Sequence, residues 1–212
     1  MKVLLVNGSP HEKGCTFTAL EEIAATLTQE GVASQLFWLG KKPISGCLGC
    51  QSCVKKGRCV IENDPVNEFV ELAKSAAGFI FGSPVHYAAA SGSLTSFLDR
   101  VFYSGSNATG SRTFYLKPGA AIVSARRAGT TAAFEQLNKY FTISQMPVVS
   151  SCYWNNVHGF TPEDVRKDEE GLYVMRVLAR NMAYLLKCLK GGQSSGVPLP
   201  PQEERKVTNF IS

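Results

Sequence analysis

Short, unbroken apolar runs alternate along this chain with stretches whose apolar residues recur at the period of a helix. Strands that are buried on both faces appear in a sequence as unbroken apolar runs, which is typical of parallel sheets. Residues 2–6, 77–82 and 120–124 are such runs, and residues 32–39 and 148–152 are predicted as two further strands. Because helical patterns separate these runs, the sequence predicts a three-layer α/β/α fold around a parallel five-stranded sheet.

The 212 residues suit a single domain, since 44% of them are hydrophobic and 18% are charged. The longest uncharged stretch, residues 75–98, contains three glycines and a proline, so it does not predict a membrane span. The first residues offer too short an apolar segment for a signal peptide, and a cytoplasmic location is expected. The net charge of +5 is scattered, so nucleic acid is not an expected partner.

The composition changes after Lys190 to glycine, serine and proline. Residues 1–190 are therefore predicted to form the domain. Residues 191–212 are expected to be a tail outside the core.

The first loop, residues 7–16, joins a buried strand to the start of a helix, where unpaired N–H groups and the helix dipole favour an anion. The loop matches neither G-x-G-x-x-G nor G-x-x-x-x-G-K-[ST], and no cysteine of the chain begins a Cys-x₅-Arg phosphatase loop. These absences disfavour a dinucleotide, a nucleoside triphosphate and phosphatase chemistry. Two alternatives stay open: a site for a single phosphate ester, and a plain Gly/Ser turn.

Two further loops are predicted at the same edge of the sheet. In a doubly wound sheet of order 2-1-3-4-5, the crevice that can hold flavin mononucleotide lies between the ends of the first and third strands. The loop after the third strand, residues 82–87, carries Pro84 and an aromatic residue, Tyr87, that could stack on a flat ring. The loop after the fourth strand, residues 124–130, also contains glycine.

Several motifs of the chain together resemble the NADPH-dependent FMN reductase family, and most closely its iron–sulfur flavoprotein branch, over about residues 1–190. The motifs are Asn-Gly-Ser-Pro at 7–10, Gly14-x-Thr16, Gly-Ser-Pro-Val at 82–85, Leu94-x-x-Phe97-Leu98-Asp99-Arg100 and the cysteine loop. The resemblance implies a flavodoxin-like fold and FMN. It also implies electrons from NAD(P)H or a reduced carrier protein, a quinone, flavin or other small acceptor, and a homodimer or homotetramer.

The resemblance assigns FMN contacts by position. Those at the phosphate are Ser9, Pro10, Gly14, Cys15, Thr16 and Thr18, and those around the ring are Pro84, Val85, His86, Tyr87, Ser124 and Gly129. The chain departs from the family at His11, where a basic residue is common, and at Cys15, where asparagine is common. Because the flavin carries the chemistry, no catalytic side chain is predicted, and His86 is kept only as a candidate proton donor.

Four cysteines lie within thirteen residues of the predicted loop 43–60, in the pattern C-x₂-C-x₂-C-x₅-C: Cys47, Cys50, Cys53 and Cys59. Such closely spaced thiolates are typical of a [4Fe–4S] cluster, whereas structural zinc usually takes two separated pairs. A cluster, zinc and no metal all stay open at this point. Lys55, Lys56 and Arg58 would stabilise an anionic cluster.

Three functions are consistent with the sequence. The first is an FMN-dependent oxidoreductase. The second is a flavodoxin-like electron carrier that turns over no small substrate. The third is a binding module without flavin, held together by zinc or by no metal.

Overall fold

The computed structural model describes residues 1–107, 110–204, 206–208 and 210–211. Its strands are β1 (Lys2–Asn7), β2 (Ala33–Trp38), β3 (Gly78–His86), β4 (Ala89–Ala90), β5 (Gly119–Ala125) and β6 (Asn156–His158). The strand order is β2-β1-β3-β5-β6 with parallel pairing, and β4 pairs antiparallel with β3. The predicted parallel sheet and its 2-1-3-4-5 order are confirmed.

Helices cover both faces of this sheet. They are α1 (Cys15–Gln29), α2 (Ser52–Lys56), α3 (Val66–Ser75), α4 (Gly92–Phe102), α5 (Thr130–Ile143), α6 (Pro162–Lys167) and α7 (Glu169–Ser194), with a π-helical turn at Tyr103–Asn107. Two buried clusters result: one joins the sheet to α3, α4 and α5, and the other joins it to α1 and α7. The alternation of apolar runs and helical stripes therefore produces two cores, one on each face.

The predicted fifth strand at 148–152 is wrong. Val148 makes only an isolated bridge to Gly119, and the strand that extends the sheet is Asn156–His158. The Asn155 side chain donates to the carbonyl oxygen of Ala121 at 3.0 Å, and its own oxygen accepts from Ser151. The Asn155 side chain thus bonds a carbonyl of β5 that a strand at 148–152 would have bonded through its backbone. The chain turns after Val148 and pairs with β5 again only at Asn156.

The third strand is longer than predicted, because residues 83 and 84 still pair with β5. It turns back into β4 through Tyr87 and Ala88, whose φ angles are 49° and 57°. A two-residue turn with positive φ at both positions matches the twist of a hairpin. The predicted loop after this strand is therefore a short hairpin that stands above the sheet edge.

The last helix continues through two glycines to Ser194, four residues beyond the predicted change at Lys190. In the described part of the tail, Gln202 donates to the hydroxyl of Tyr115 at 2.6 Å. Residues 205, 209 and 212 of the predicted tail lie outside the described residues. No helix among the described residues combines the length and the apolar character that a membrane crossing needs.

Candidate functional site

The loop between β1 and α1 is closely packed against the end of β3. The amide of Gly8 donates to the carbonyl oxygen of Gly82 at 2.9 Å, and a Cβ atom at Gly8 would lie 2.9 Å from that same oxygen. The side chain of Asn7 donates to the Glu12 carbonyl and accepts from the Ser9 amide, both at 3.0 Å. Backbone contacts therefore fix this loop at the switch point of the sheet.

The first turn of α1 presents unpaired amides to this loop. Its N-cap, Gly14, provides no side-chain cap, and the amides of Thr16 and Phe17 have no acceptor in the part of the chain that the structure describes. Unpaired amides at the positive end of a 15-residue helix suit an anion such as a phosphate ester. The loop therefore fits the predicted phosphate site through its backbone.

The hydroxyls predicted at the phosphate have different partners. Thr16 Oγ1 and Ser124 Oγ lie 2.8 Å apart and are buried, and Thr18 Oγ1 donates to the Gly14 carbonyl at 3.3 Å. Ser9 Oγ accepts from the His11 amide at 3.1 Å. The contact between Thr16 and Ser124 thus joins α1 to the end of β5. The prediction had placed Thr16 at the phosphate and Ser124 beside the ring.

Cys15 lies beside the unpaired amides. Its Sγ donates to the Gly159 carbonyl at 3.7 Å. Burial raises the pKa of the Cys15 thiol, and the carboxylates of Asp164 and Glu163 raise it further. A neutral thiol does not repel an anion held at the same helix terminus, so the cysteine is compatible with a phosphate there.

The hairpin and the loop after β5 meet at the same edge. Pro84 and Val85 are half-buried, whereas His86 and Tyr87 are exposed. Gly129 has a φ of 92°, and a Cβ atom there would lie 2.7 Å from Ala88 Cα. The three loops that were predicted to form one crevice are therefore neighbours, with the aromatic ring of Tyr87 free at its rim.

We expect Gly129→Ala to lower the free energy of unfolding by about 1 to 3 kcal/mol, because alanine is strained at this φ and its Cβ has no room against the hairpin. Urea denaturation of the variant measures this. Gly92→Ala is the matched control, since a Cβ there meets nothing within 4 Å. Equal stabilities of the two variants would contradict the packing of the hairpin on Gly129.

The four cysteines of the loop between β2 and α3 line a single cavity. Its other walls are Leu48, Gln51, Val60, Ile61, Arg100, Tyr103 and Ser104. Cys47 and Cys50 are exposed, Cys59 is half-buried and Cys53 is buried. Among the residues that the structure describes, no three His, Cys, Asp or Glu side chains form a group that could hold a metal ion. The donor set therefore fits a thiolate-bound metal in its chemistry, but the sulfur atoms are not gathered around one centre.

The pKa values of two of these thiols are shifted in opposite directions. Hydrogen bonds from the backbone and the side chain of Ser52 lower the pKa of Cys50. Burial raises the pKa of Cys53, and the negative charges of Cys59, Cys47 and Cys50 raise it further. The Cys53 sulfur is thus close enough to the other three thiols for their charges to act on it.

A buried arginine that the sequence analysis gave no role contacts this cavity. Arg100 of α4 is 1% exposed, and it donates to Cys59 Sγ and forms an ion pair with the buried carboxylate of Asp64. Burial lowers the pKa of Arg100, but its hydrogen bonds to Asp64 and Cys59 outweigh burial, so the pKa lies above its usual value. The sequence feature that indicates burial of Arg100 is its spacing: it follows Phe97 by three residues, which places it on the same side of the helix as that apolar residue.

Asn67 of α3 holds the end of the cysteine loop. Its side-chain oxygen accepts from the amide of Cys59 at 3.1 Å, and its nitrogen donates to the Cys59 carbonyl at 2.9 Å. Nothing in the apolar pattern distinguishes this asparagine from a solvated one. The loop is therefore fastened to α3 by one amide and to α4 by one guanidinium.

Comparisons with known proteins agree with this arrangement. Residues 1–161 match the NADPH-dependent FMN reductase family. The chain is 29% identical over 200 residues to an iron–sulfur flavoprotein of Methanocaldococcus jannaschii. The aligned region covers 90% of this chain and 100% of that protein.

Two solved structures are similar in fold. RosB with bound 8-demethyl-8-formylriboflavin-5'-phosphate superimposes with a TM-score of 0.72 at 11% identity. The superposition covers 100% of this chain and 92% of the RosB chain. A flavodoxin from the domain Archaea has a TM-score of 0.56 at 17% identity, with 88% and 99% covered. The flavodoxin-like fold that the resemblance implied is confirmed.

Proposed function

Because the chain belongs to the NADPH-dependent FMN reductase family, we propose that it is an FMN-dependent oxidoreductase. It passes electrons from NAD(P)H or a reduced carrier protein through FMN to a quinone, a flavin or another small acceptor. The observation that carries this proposal is the meeting of three loops at the β1/β3 switch point, with unpaired helix amides beside them. Relatives named as iron–sulfur flavoproteins support it.

The residues of the three loops would divide the binding of FMN between them. The amides of the first α1 turn, with Ser9 and Gly14, would hold the phosphate. Pro84, Val85 and the hairpin turn would support the ring, which accepts a hydride and delivers electrons singly or in pairs. The protein supplies position and shields the ring from solvent, so we assign no general acid or base, and His86 stays a candidate at the exposed rim.

The four loop cysteines would hold a [4Fe–4S] cluster that supplies one-electron transfer. Two features support this part of the proposal: the four thiols line one cavity, and a buried cation contacts one of them. Zinc is the alternative metal for the same donors.

Self-association as a homodimer or homotetramer stays a prediction. The loop 103–117 and the tail are the candidate contacts. The loop residues 108–109 lie outside the described residues.

Protein purified without oxygen tests the function. We expect flavin absorption bands over a broad iron–sulfur background, with about four irons per chain and one FMN. Stopped-flow and steady-state assays with NADH and NADPH, each with a quinone or free FMN as acceptor, then measure turnover. Gly8→Val is the site variant, since its side chain would occupy the space of the Gly82 carbonyl, and the same assay on Gly92→Ala is its control.

The outcomes separate the competing functions. Reduction by a ferredoxin-like protein without oxidation of NAD(P)H would replace the reductase with an electron carrier. A colourless protein that does not bind added FMN would overturn the flavin site and leave a binding module. Flavin without iron would keep the reductase and remove the cluster.

A further inference from the structure

Arg100 makes a hydrogen bond with every N–H group that its guanidinium offers. Nε and Nη2 each lie 3.3 Å from Cys59 Sγ, so two donors meet at one sulfur atom. The second proton of Nη2 is directed at the Ile61 carbonyl at 3.0 Å, and Nη1 donates to the Ser45 carbonyl at 3.2 Å and to Asp64. An arginine has five such donors in a fixed plane, and all five are used here.

The partners of the guanidinium hold its direction. Asp64 is itself fixed, because its other oxygen accepts from the amide of Val66 at 3.2 Å. Both side chains of this ion pair are almost fully buried, so solvent does not compete for the donors. Rotation of Arg100 away from Cys59 would leave a buried charge unpaired, which is costly. The sulfur-directed edge of the guanidinium is therefore preorganised.

We propose that Arg100 is a positioning residue for metal binding, which holds the Cys59 sulfur as a ligand and stabilises the loop cysteines around a metal. This inference rests on the metal site of the proposed function. A metal-bound sulfur carries negative charge and accepts charge-assisted hydrogen bonds more strongly than a neutral thiol does. The two N–H···S contacts are therefore stronger with metal than without it, and the difference stabilises the metal-bound loop.

The same contacts act on the electron affinity of a cluster. Hydrogen bonds to the sulfur ligands of an iron–sulfur cluster stabilise its more negative, reduced state and so raise its reduction potential. Arg100 would thus raise the potential at which a bound cluster accepts an electron. An ion pair that only stabilises the fold would leave this potential unchanged.

Arg100→Lys is the test variant, because lysine keeps the positive charge beside Asp64 but cannot aim two donors at Cys59. Arg176→Lys is the matched control: Arg176 of α7 pairs with Glu22 of α1 at 2.7 Å, on the opposite face of the sheet from α4. Each protein is reconstituted with iron and sulfide without oxygen. Iron release to a chelator and the midpoint potential by EPR-monitored titration are measured.

We expect Arg100→Lys to lose iron about 10- to 100-fold faster than the wild type, and to have a lower midpoint potential, while Arg176→Lys matches the wild type in both. Equal release rates and potentials in the two variants would overturn the proposal. If the wild type takes up zinc but no iron, zinc affinity against a competing chelator replaces the release rate, with the same expected loss.

A second variant keeps the test decisive if Arg100→Lys does not fold. Asp64→Asn leaves the sulfur contacts of Arg100 in place and removes a nearby negative charge, so its potential should stay at or above the wild-type value. A fall would contradict the inference. A wild type that binds neither iron nor zinc overturns the metal site itself and this inference with it, whereas metal-bound protein with an indifferent Arg100→Lys overturns the inference alone.

Discussion

Replacing Arg100 with methionine is expected to lower the free energy of unfolding of the metal-free protein by about 3 to 5 kcal/mol. The reason is that Asp64 stays buried when its cation is removed, so a carboxylate is left without its charge partner. The carbonyls of Ser45 and Ile61 lose donors as well. Urea denaturation followed by far-UV circular dichroism measures the loss.

Two control variants test whether the unpaired Asp64 charge causes this loss of stability. Arg176→Met removes the arginine of a partly exposed pair, and such pairs contribute about 1 kcal/mol or less. Arg100→Met with Asp64→Leu removes both charges, and the double variant should be more stable than the single one because no unpaired charge remains. A double variant that is less stable than Arg100→Met would show that burial of the Asp64 charge is not the cause.

The second large effect is expected at the centre of the aromatic core. Phe69 of α3 is fully buried, and its ring lies 5.1 to 6.2 Å from the rings of Phe37, Phe97, Phe81 and Phe79. Phe69→Ala removes all four contacts and leaves a cavity between α3 and the sheet, so the free energy of unfolding should fall by about 3 to 5 kcal/mol. Phe160→Ala is the matched control, since that ring is 77% exposed and should change stability by less than about 0.5 kcal/mol.

Phe69 also connects the core to the cysteine loop. Asn67, which bonds the amide and the carbonyl of Cys59, lies two residues before it on the same helix. Faster amide hydrogen exchange in residues 59–61 of Phe69→Ala than of the Phe160→Ala control is therefore expected. Unchanged exchange in that segment would mean that the loop is held from α4 rather than from α3.

The sheet was predictable because burial on both faces leaves a strong pattern. Unbroken apolar runs placed β1, β3 and β5, and helical stripes separated them. The last strand was missed because it has only three residues, two of which, Asn156 and His158, are polar. The apolar residues before it reach the sheet only through the single bridge of Val148 to Gly119. Pairing there depends on the Asn155 side chain, and periodicity carries no information about such a contact.

The candidate site was predictable only at the level of loops. The loops had to meet because they follow neighbouring strands of a parallel sheet. Which hydroxyls stay available to a ligand depends on tertiary contacts. Thr16 and Ser124, for example, contact each other although they lie 108 positions apart in the sequence. Arg100 was missed for a similar reason: its partners lie 36 to 55 residues away, and a charged residue in a helix is usually solvated.

One helix joins the two ends of this site. The cap of α4, Ser91, donates to the Gly8 carbonyl beside the phosphate loop, and Arg100 near its other end contacts Cys59. Arg100 lies nine positions after Ser91, which at a rise of 1.5 Å per residue is about 14 Å along the helix axis. A hydrogen-bonded helix changes its length very little, so α4 holds the loops of the proposed flavin site and the cysteine loop at a constant separation. Insertions in either loop would change what is bound there, but the distance between the two proposed sites would stay the same.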